Sequence, residues 1–317
     1  MDTDTARPSH AGLLRMGAPP LFILLWSSGF IFVKIGLRYA DPLTLLAVRY
    51  MLVEAILIPV ALVLRPRLPR GIEWLHLGVV GLLVQAIHFG SINLALTFGL
   101  SPGAAALITS LQPILVGLLA PWLTGEAVSR RRWLGLALGL AGAVVVILAR
   151  SSLGALPLWG LLCAAAGLAG ITLGTLYERR FGSRQHPVTA SIVQCGVGLL
   201  VSLPLAAALE PMRLEVTTGL AVSLGYLVLC NSIVALTLLM AMIRLGEASR
   251  VSALFFLVPP TTALLAWAVL GERLPPLGWA GLAASAAGVA VVTLERRPDH
   301  VTTASGRAMD RPGGRGR

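Results

Sequence analysis

Charged residues are scarce in this chain: Asp, Glu, Lys and Arg make up 12% of its 317 residues, about half the share found in a soluble domain. Hydrophobic residues reach 56%. A soluble chain of this length could not bury that much apolar surface, whereas a lipid bilayer accommodates it. The net charge is +11, but the basic residues are scattered through short gaps between apolar runs, without an aromatic platform beside them. The composition therefore favours a membrane protein and argues against a nucleic-acid partner.

Other absences narrow the chemistry. The three cysteines stand inside apolar runs and form no CxxC pair, so neither a disulfide framework nor a metal site is expected. No GxxxxGK[ST] phosphate-binding loop is present, which argues against ATP-driven work by this chain alone. An intramembrane enzyme would need paired carboxylates or a histidine cluster, and mid-run positions hold one of each, Glu54 and His88. We therefore expect neither an enzyme nor a bound cofactor.

Ten apolar runs of about 20 residues are each long enough to cross a bilayer as a helix. They predict an all-α membrane protein with spans at residues 18–37, 43–64, 74–97, 102–123, 131–149, 157–177, 187–208, 218–243, 251–270 and 278–294. The first run has no small-residue cleavage site, so we interpret it as a retained helix after a tail at 1–17, not as a signal peptide. Residues 296–317 are polar and are predicted to form a disordered tail.

The basic residues outside the spans predict the orientation. If the N-terminus is cytoplasmic, nineteen arginines fall on the cytoplasmic side and four on the other, namely Arg38, Arg150, Arg213 and Arg273. Positive charge accumulates on the cytoplasmic side of membrane proteins. We therefore expect a multi-pass protein of the cell membrane with both termini in the cytoplasm.

The sequence contains an internal repeat. A shift of 146 residues superimposes the third to fifth spans on the eighth to tenth without a gap, and it places Gly135 on Gly281 and Trp133 on Trp279. The two five-helix repeats are residues 18–149 and 150–295.

Equivalent segments of the two repeats are five spans apart. Because five is odd, they should cross the membrane in opposite directions. The charges agree, since the arginines at 130–132 have an uncharged equivalent at 276–278. Inverted repeats are typical of transporters with a central binding site.

Several motifs resemble the EamA family of the drug/metabolite transporter superfamily. The first span contains WSSGFIFVK at 26–34, and the second begins at Asp41-Pro42 and continues to Arg49-Tyr50. Each half then has a mid-span proline and a Gly-Glu pair, the second within LGERL at 270–274. The resemblance covers roughly residues 18–295. It implies ten spans, cytoplasmic termini, and export or uptake of metabolites such as amino acids and their derivatives.

Ionisable groups inside a span cost roughly 2.5–3.5 kcal/mol each, so they are candidates for function. Glu54 is the one carboxylate deep inside a predicted span. It could exchange a proton during transport, or it could be a structural group bonded to a neighbouring helix. Lys34 and Arg49 lie toward the outer ends of adjacent helices. They could reach the interface, or they could form a gate or contact an anionic group.

Polar side chains in the third and eighth spans are candidates for substrate binding. Gln85 and His88 are three residues apart and so share a helix face, with Asn93 two turns beyond Gln85. The repeat places Gln85 on Asn231. Such side chains could line a central cavity, or they could form hydrogen bonds between helices.

Three further residues are candidates for binding or motion. Trp26 could stack against a ligand or serve only in packing. Pro113 and Pro259 are predicted to kink their helices, since a proline inside a helix removes a backbone hydrogen bond.

Together these features predict a secondary transporter in the lipid bilayer. We expect it to export a small metabolite, such as an amino acid or a derivative, by alternating access around a polar cavity. The substrate gradient or protons would supply the energy. A lipid flippase or a channel on the same scaffold stays open, and so does assembly into a homo-oligomer.

Overall fold

The computed structural model describes residues 10–112, 114–116, 118–119, 130–151, 157–181, 185–235, 238, 257–272 and 275–293. Among these residues, ten helical segments have at least eight residues each, and there is no strand. The helices are α1 His10–Gly36, α2 Pro42–Leu64, α3 Glu73–Thr97, α4 Pro102–Thr109, α5 Arg130–Ser151, α6 Leu158–Phe181, α7 Pro187–Leu209, α8 Thr218–Ala235, α9 Val258–Leu270 and α10 Pro276–Thr293.

Six of the described helices, α1 to α3 and α6 to α8, are long and apolar enough to cross a membrane, judged by length and composition. Shorter apolar stretches lie in the regions of α4, α5 and α9. The prediction of an all-α membrane protein is confirmed, whereas the count of ten spans stays a prediction. Helix α1 begins at His10, within the predicted N-terminal tail. The predicted tail at 296–317 lies outside the described residues.

Prolines and polar caps mark the starts of several helices. Helices α2 and α7 begin with Pro42 and Pro187, whose missing N–H groups would have no helical partner in a first turn. Ser101 and Thr217 accept hydrogen bonds from backbone N–H groups in the first turns of α4 and α8. The chain therefore turns where polar residues and prolines interrupt the apolar runs.

The helix packing repeats between the two halves. In the repeat, helices α1 to α5 have α6 to α10 as their counterparts, in that order. Helix α3 packs on α6 and α7, and its counterpart α8 packs on α1 and α2. Likewise α1 packs on α9, and its counterpart α6 packs on α4. The other counterparts meet directly, as α2 with α7, α4 with α9 and α5 with α10. Exchanging the halves leaves these contacts unchanged, as expected for two repeats related by a local two-fold axis.

Counterpart helices run in opposite directions, as α5 and α10 demonstrate. A Cβ atom placed on Gly142 would lie 2.5 Å from the Gly281 carbonyl oxygen, and one placed on Gly288 would lie 2.6 Å from the Gly139 nitrogen. The Ser285 hydroxyl also donates to the Gly139 carbonyl oxygen, at 3.3 Å. Residue numbers therefore fall along α10 as they rise along α5. This antiparallel packing confirms the predicted inversion, and the small residues let the two backbones approach closely.

The loops at one end of the bundle bind each other. The α1–α2 loop and the α7–α8 loop form an isolated antiparallel bridge between Ala40 and Leu214. The Arg213 backbone N–H donates to Asp41 Oδ2 at 2.8 Å, and Arg213 Nε lies 3.7 Å from Asp41 Oδ1. We call these contacts the Asp41 latch.

The two halves also meet at the ends of α2. Near the latch, the Glu210 carboxylate accepts hydrogen bonds from the backbone N–H groups of Leu43 and Thr44, at 2.8 and 3.0 Å. At the other end, the Thr189 hydroxyl donates to the Arg67 carbonyl oxygen at 3.3 Å. Helices α2 and α7 therefore also run antiparallel, with polar contacts at both ends of the pair.

The middle of α3 and the second part of α8 are π-helices, at Gly81–His88 and Tyr226–Ala235. The two segments are equivalent in the repeat. Their hydrogen bonds join residues five apart, a rare arrangement that widens the turn and is frequent at functional sites. The π-helices therefore change which side chains of α3 and α8 share a face.

Candidate functional site: a cavity between the two halves

A cavity of about 460 Å³, including its open part, lies among α1, α2, α3, α4 and α8. Its wall combines aromatic and aliphatic side chains with a few polar ones, a composition typical of small-molecule sites. The wall residues are Trp26, Gly29, Phe30, Val33, Arg49, His88, Phe89, Ile92, Asn93, Thr109 and Asn231.

Arg49 of α2 is the one Lys or Arg among these wall residues, and it is only 5% exposed. Its Nε and Nη2 atoms donate to the Ser232 hydroxyl at 3.1 and 2.9 Å, and Nη2 also donates to Asn231 Oδ1 at 3.0 Å. The guanidinium lies over the Phe89 ring, 5.0 Å from its centroid, which is a cation–π arrangement. Within the described part of the chain it forms no ion pair. The Arg49 side chain is therefore buried between helices and not on the surface of the bundle.

Asn231 joins α8 to both α1 and α2. Its side-chain oxygen accepts the hydrogen bond from Arg49, and its Nδ2 donates to the Leu25 carbonyl oxygen at 3.3 Å. A Cβ atom placed on Gly29 would lie 2.5 Å from that Nδ2. Glycine at position 29 therefore allows α1 to approach the amide that fixes Arg49.

His88 is 3% exposed and is oriented by α6. Its Nδ1 lies 2.9 Å from the Gly167 carbonyl oxygen. A carbonyl oxygen can only accept, so Nδ1 carries the hydrogen, and Nε2 of a neutral ring is then an acceptor. His88 can therefore present a hydrogen-bond acceptor to a ligand.

Asn93 and Trp26 lie on the same wall. Asn93 Nδ2 donates to the Pro42 carbonyl oxygen at 3.0 Å, which ties α3 to the start of α2. The Trp26 ring lies 5.5 Å from that of Phe22, in a tilted arrangement. The structure thus brings four of the five predicted substrate residues to one cavity, although their part in binding stays a prediction.

Gln85, the fifth predicted substrate residue, does not line this cavity. The Tyr50 hydroxyl donates to both the backbone carbonyl oxygen and the side-chain oxygen of Gln85, at 2.7 and 3.0 Å. Residues three apart no longer share a face in a π-helix, so Gln85 turns away from His88 toward α2. The structure therefore does not bring Gln85 to the cavity wall beside Asn231, and its part in binding stays a prediction.

Lys34 lies outside the cavity wall, near the latch. Its Nζ donates to the Leu96 carbonyl oxygen at 2.6 Å, and it interacts electrostatically with Glu272, just beyond the end of α9. Lys34 therefore binds the end of α3, and its charge acts between α1 and α9.

Glu54 also lies outside the wall, where α2 faces α7. It is 9% exposed, and both carboxyl oxygens lack a hydrogen-bond partner among the described residues. A Cβ atom placed on Gly196 would lie 3.7 Å from Oε1. Cys195, the preceding residue on α7, interacts electrostatically with Glu54. An unpaired carboxyl group inside a helix bundle costs stability.

The two predicted kinks have different outcomes. Pro113 lies outside the described residues. Pro259 lies in the first turn of α9, which begins at Val258, where a proline removes no helical hydrogen bond. A kink at Pro259 inside a described helix is therefore not found.

Sequence reasoning missed two partners of Arg49. Ser232 accepts its hydrogen bonds, and a polar neighbour of Asn231 in an apolar span was the available signal. Phe89 lies beside the guanidinium, but an aromatic residue in such a span usually packs against other helices, so nothing marked it. Both contacts depend on the π-helices.

Comparison with protein-family models matches the chain twice to the EamA-like transporter family, over residues 21–148 and 158–294. Two consecutive matches agree with the internal repeat. The matched ranges also place all the wall residues except Asn231 in the first match.

Two relatives resemble the chain over most of their length. The "Uncharacterized inner membrane transporter YedA" of Escherichia coli (strain K12) is 25% identical over 278 residues, which cover 88% of this chain and 90% of the relative. The "Probable amino-acid metabolite efflux pump" of Salmonella typhimurium (strain LT2) is 27% identical over 282 residues, covering 85% and 91%. A solved crystal structure, 23% identical with a TM-score of 0.62, covers 87% of this chain and 95% of that chain. It shares the fold.

Proposed function

Because the chain belongs to the EamA-like transporter family, we propose that it is a secondary transporter that moves a small metabolite through the cavity between its two halves. The observation that carries the proposal is the hydrogen bond between Arg49 and Asn231, which joins the first half to the second in the cavity wall. A movement of one half against the other must therefore change the polar part of this wall.

The inverted packing supports alternating access as the mechanism. When two antiparallel repeats exchange conformations, a cavity closed on one side opens on the other. The Asp41 latch joins loops of the two halves at one end, and the positive charge distribution predicts that this end faces outward. We assign the latch as the outer gate, held by one ion pair and a few backbone hydrogen bonds that water can replace.

Glu54 is the proposed proton site. Its carboxyl group is buried between α2 and α7, counterpart helices that change their contact when the halves move. A carboxyl group without a protein partner can gain or lose a proton as its surroundings change. Proton exchange at Glu54 would then couple the pH gradient to the movement of the halves.

Export is the proposed direction. The named function of the Salmonella relative, a probable efflux pump for amino-acid metabolites, supports this direction and a small organic substrate. The orientation is a separate part of the proposal: both termini face the cytoplasm, as the arginine distribution predicts.

The test is transport of a metabolite panel in proteoliposomes, with and without a pH gradient. For a compound that the protein carries, His88→Ala removes the Nε2 acceptor and leaves a donor on the bound compound without a partner. Such losses cost about 1–3 kcal/mol, which corresponds to roughly a fivefold to hundredfold loss of apparent affinity.

The matched control is His76→Ala, which removes a histidine from the same helix outside the cavity, where it bonds Tyr177 at 3.0 Å. We expect near-normal affinity in this variant. Equal affinities in the His88 variant and the parent would refute the cavity as the substrate site. Absence of flux for every compound, from protein that is folded and inserted, would refute transport.

A further inference from the structure

We infer that the cavity selects small organic anions, with Arg49 binding the carboxylate and the aromatic wall holding an apolar substituent. This inference rests on the proposed function, since it names the class of substrate for the same cavity. It goes beyond that function because it excludes cations as substrates and predicts that zwitterionic amino acids bind more weakly than simple carboxylic acids.

The first argument is the unused hydrogen-bonding capacity of Arg49. A guanidinium has five N–H donors. The Nε donor and the two Nη2 donors bind Ser232 and Asn231. The two N–H groups of Nη1 have no acceptor among the described residues. The side chain is therefore held in place on one edge, with the other edge available to an acceptor in the cavity.

The second argument is the charge of the wall. Arg49 is always protonated, and no acidic side chain belongs to the described wall residues. Glu54 follows on the same helix, but it faces α7 rather than the cavity. An anion entering this site neutralises a buried charge, whereas a cation adds to it. The ammonium group of a zwitterion would lose its water without gaining a carboxylate partner.

The third argument is the shape of the remaining wall. Trp26, Phe30 and Phe89 provide aromatic surface, and Val33 and Ile92 provide aliphatic surface. His88 adds a hydrogen-bond acceptor. An acid with a phenyl or branched aliphatic substituent therefore matches the wall, and a donor on that substituent could bind His88 Nε2.

A matched series of three compounds separates the charge classes: 3-phenylpropionate carries only a carboxylate, phenylalanine carries both charges, and phenethylamine carries only an ammonium group. Binding to the purified protein would be measured by thermal stabilisation and by calorimetry. We expect the acid to bind at least about tenfold more tightly than phenylalanine, because the ammonium group of phenylalanine loses its water in the cavity without gaining a partner. Phenethylamine should not bind.

Three variants test the role of Arg49. Arg49→Gln should lose roughly tenfold to hundredfold in affinity for 3-phenylpropionate. Arg49→Lys keeps the charge and should retain the preference for the acid with weaker binding. Arg38→Gln removes an exposed arginine from the α1–α2 loop and is the matched control. If Arg49→Gln does not fold, the order of the three compounds on the unaltered protein still decides.

Phenylalanine or phenethylamine binding as tightly as the acid would overturn the inference. Acid binding that is unchanged in Arg49→Gln, or undetectable up to the solubility of the acid, would also overturn it. The transport proposal fails separately. If the liposomes carry a cation or a neutral compound, transport stands and the inference falls; if the acid binds through Arg49 without any flux, the inference stands and transport falls.

Discussion

Replacing Gly29 by alanine tests the geometry of the cavity most directly. The added Cβ atom would lie 2.5 Å from Asn231 Nδ2 and 3.1 Å from its Cγ, far inside normal van der Waals contact. The amide must therefore move by about 1 Å, because carbon and nitrogen atoms pack at roughly 3.5 Å. That movement breaks the bond to Leu25 at 3.3 Å and weakens the bond from Arg49 at 3.0 Å.

The expected cost of Gly29→Ala follows from these two bonds. A neutral hydrogen bond contributes about 1 kcal/mol and one to a charged group about 1.5–3 kcal/mol, so losing the first bond and part of the second should lower the free energy of unfolding by about 1–4 kcal/mol. Its thermal unfolding midpoint in detergent should fall, and binding of a cavity ligand should weaken with it.

Gly78→Ala is the matched control, because a Cβ atom on Gly78 of α3 would meet nothing within 4 Å. Alanine is a better helix former than glycine, so this control should unfold at the same temperature as the parent or slightly higher. If Gly29→Ala behaves like Gly78→Ala in both assays, then Asn231 does not lie where the packing argument requires.

Two further predictions concern proton coupling and the latch. Glu54→Gln should abolish the stimulation of transport by a pH gradient while leaving downhill exchange. The control Glu73→Gln, which removes a carboxylate near the α2–α3 loop, should keep the stimulation. A Glu54→Gln protein that still responds to the gradient would exclude Glu54 as the proton site. Ala40 and Leu214 face each other in an antiparallel bridge, at a spacing suited to a disulfide. Cysteines at both positions, in a background without the native cysteines, should block transport when oxidised and restore it on reduction. The Ala40→Cys single variant should transport under both conditions, and full transport by the oxidised double variant would contradict a gating role for the latch.

Much of the fold was predictable because it depends on local composition. Apolar runs must become helices in lipid, where every backbone polar group needs a partner within its own segment. The repeat was visible in the spacing of glycines and prolines, and the odd number of spans between equivalent residues implied the inversion. The contact between Gly142 and Gly281 then follows, since small residues allow close helix packing.

The candidate site was predictable only in part. Polar residues are rare in apolar spans, so the sequence alone marks His88, Asn93 and Asn231 as candidates. The spacing of Gln85 and His88 indicates a shared face only in a regular α-helix, and the sequence does not indicate that α3 is a π-helix at that point. The charge of Arg49 also marks it as a candidate. Its position toward the outer end of a predicted span does not decide whether the side chain reaches water or binds a neighbouring helix.

The sequence by itself determined an all-α membrane protein with two inverted halves, because hydropathy, charge and repeat spacing are properties of successive residues. Only the tertiary structure decided which polar groups meet. Arg49 and Ser232 are 183 positions apart, and they bind each other because α8 packs on α2 and because a π-helix turns that part of α8 toward the cavity. Contacts of this kind depend on helix rotation and packing distance, which the order of residues along one helix does not record.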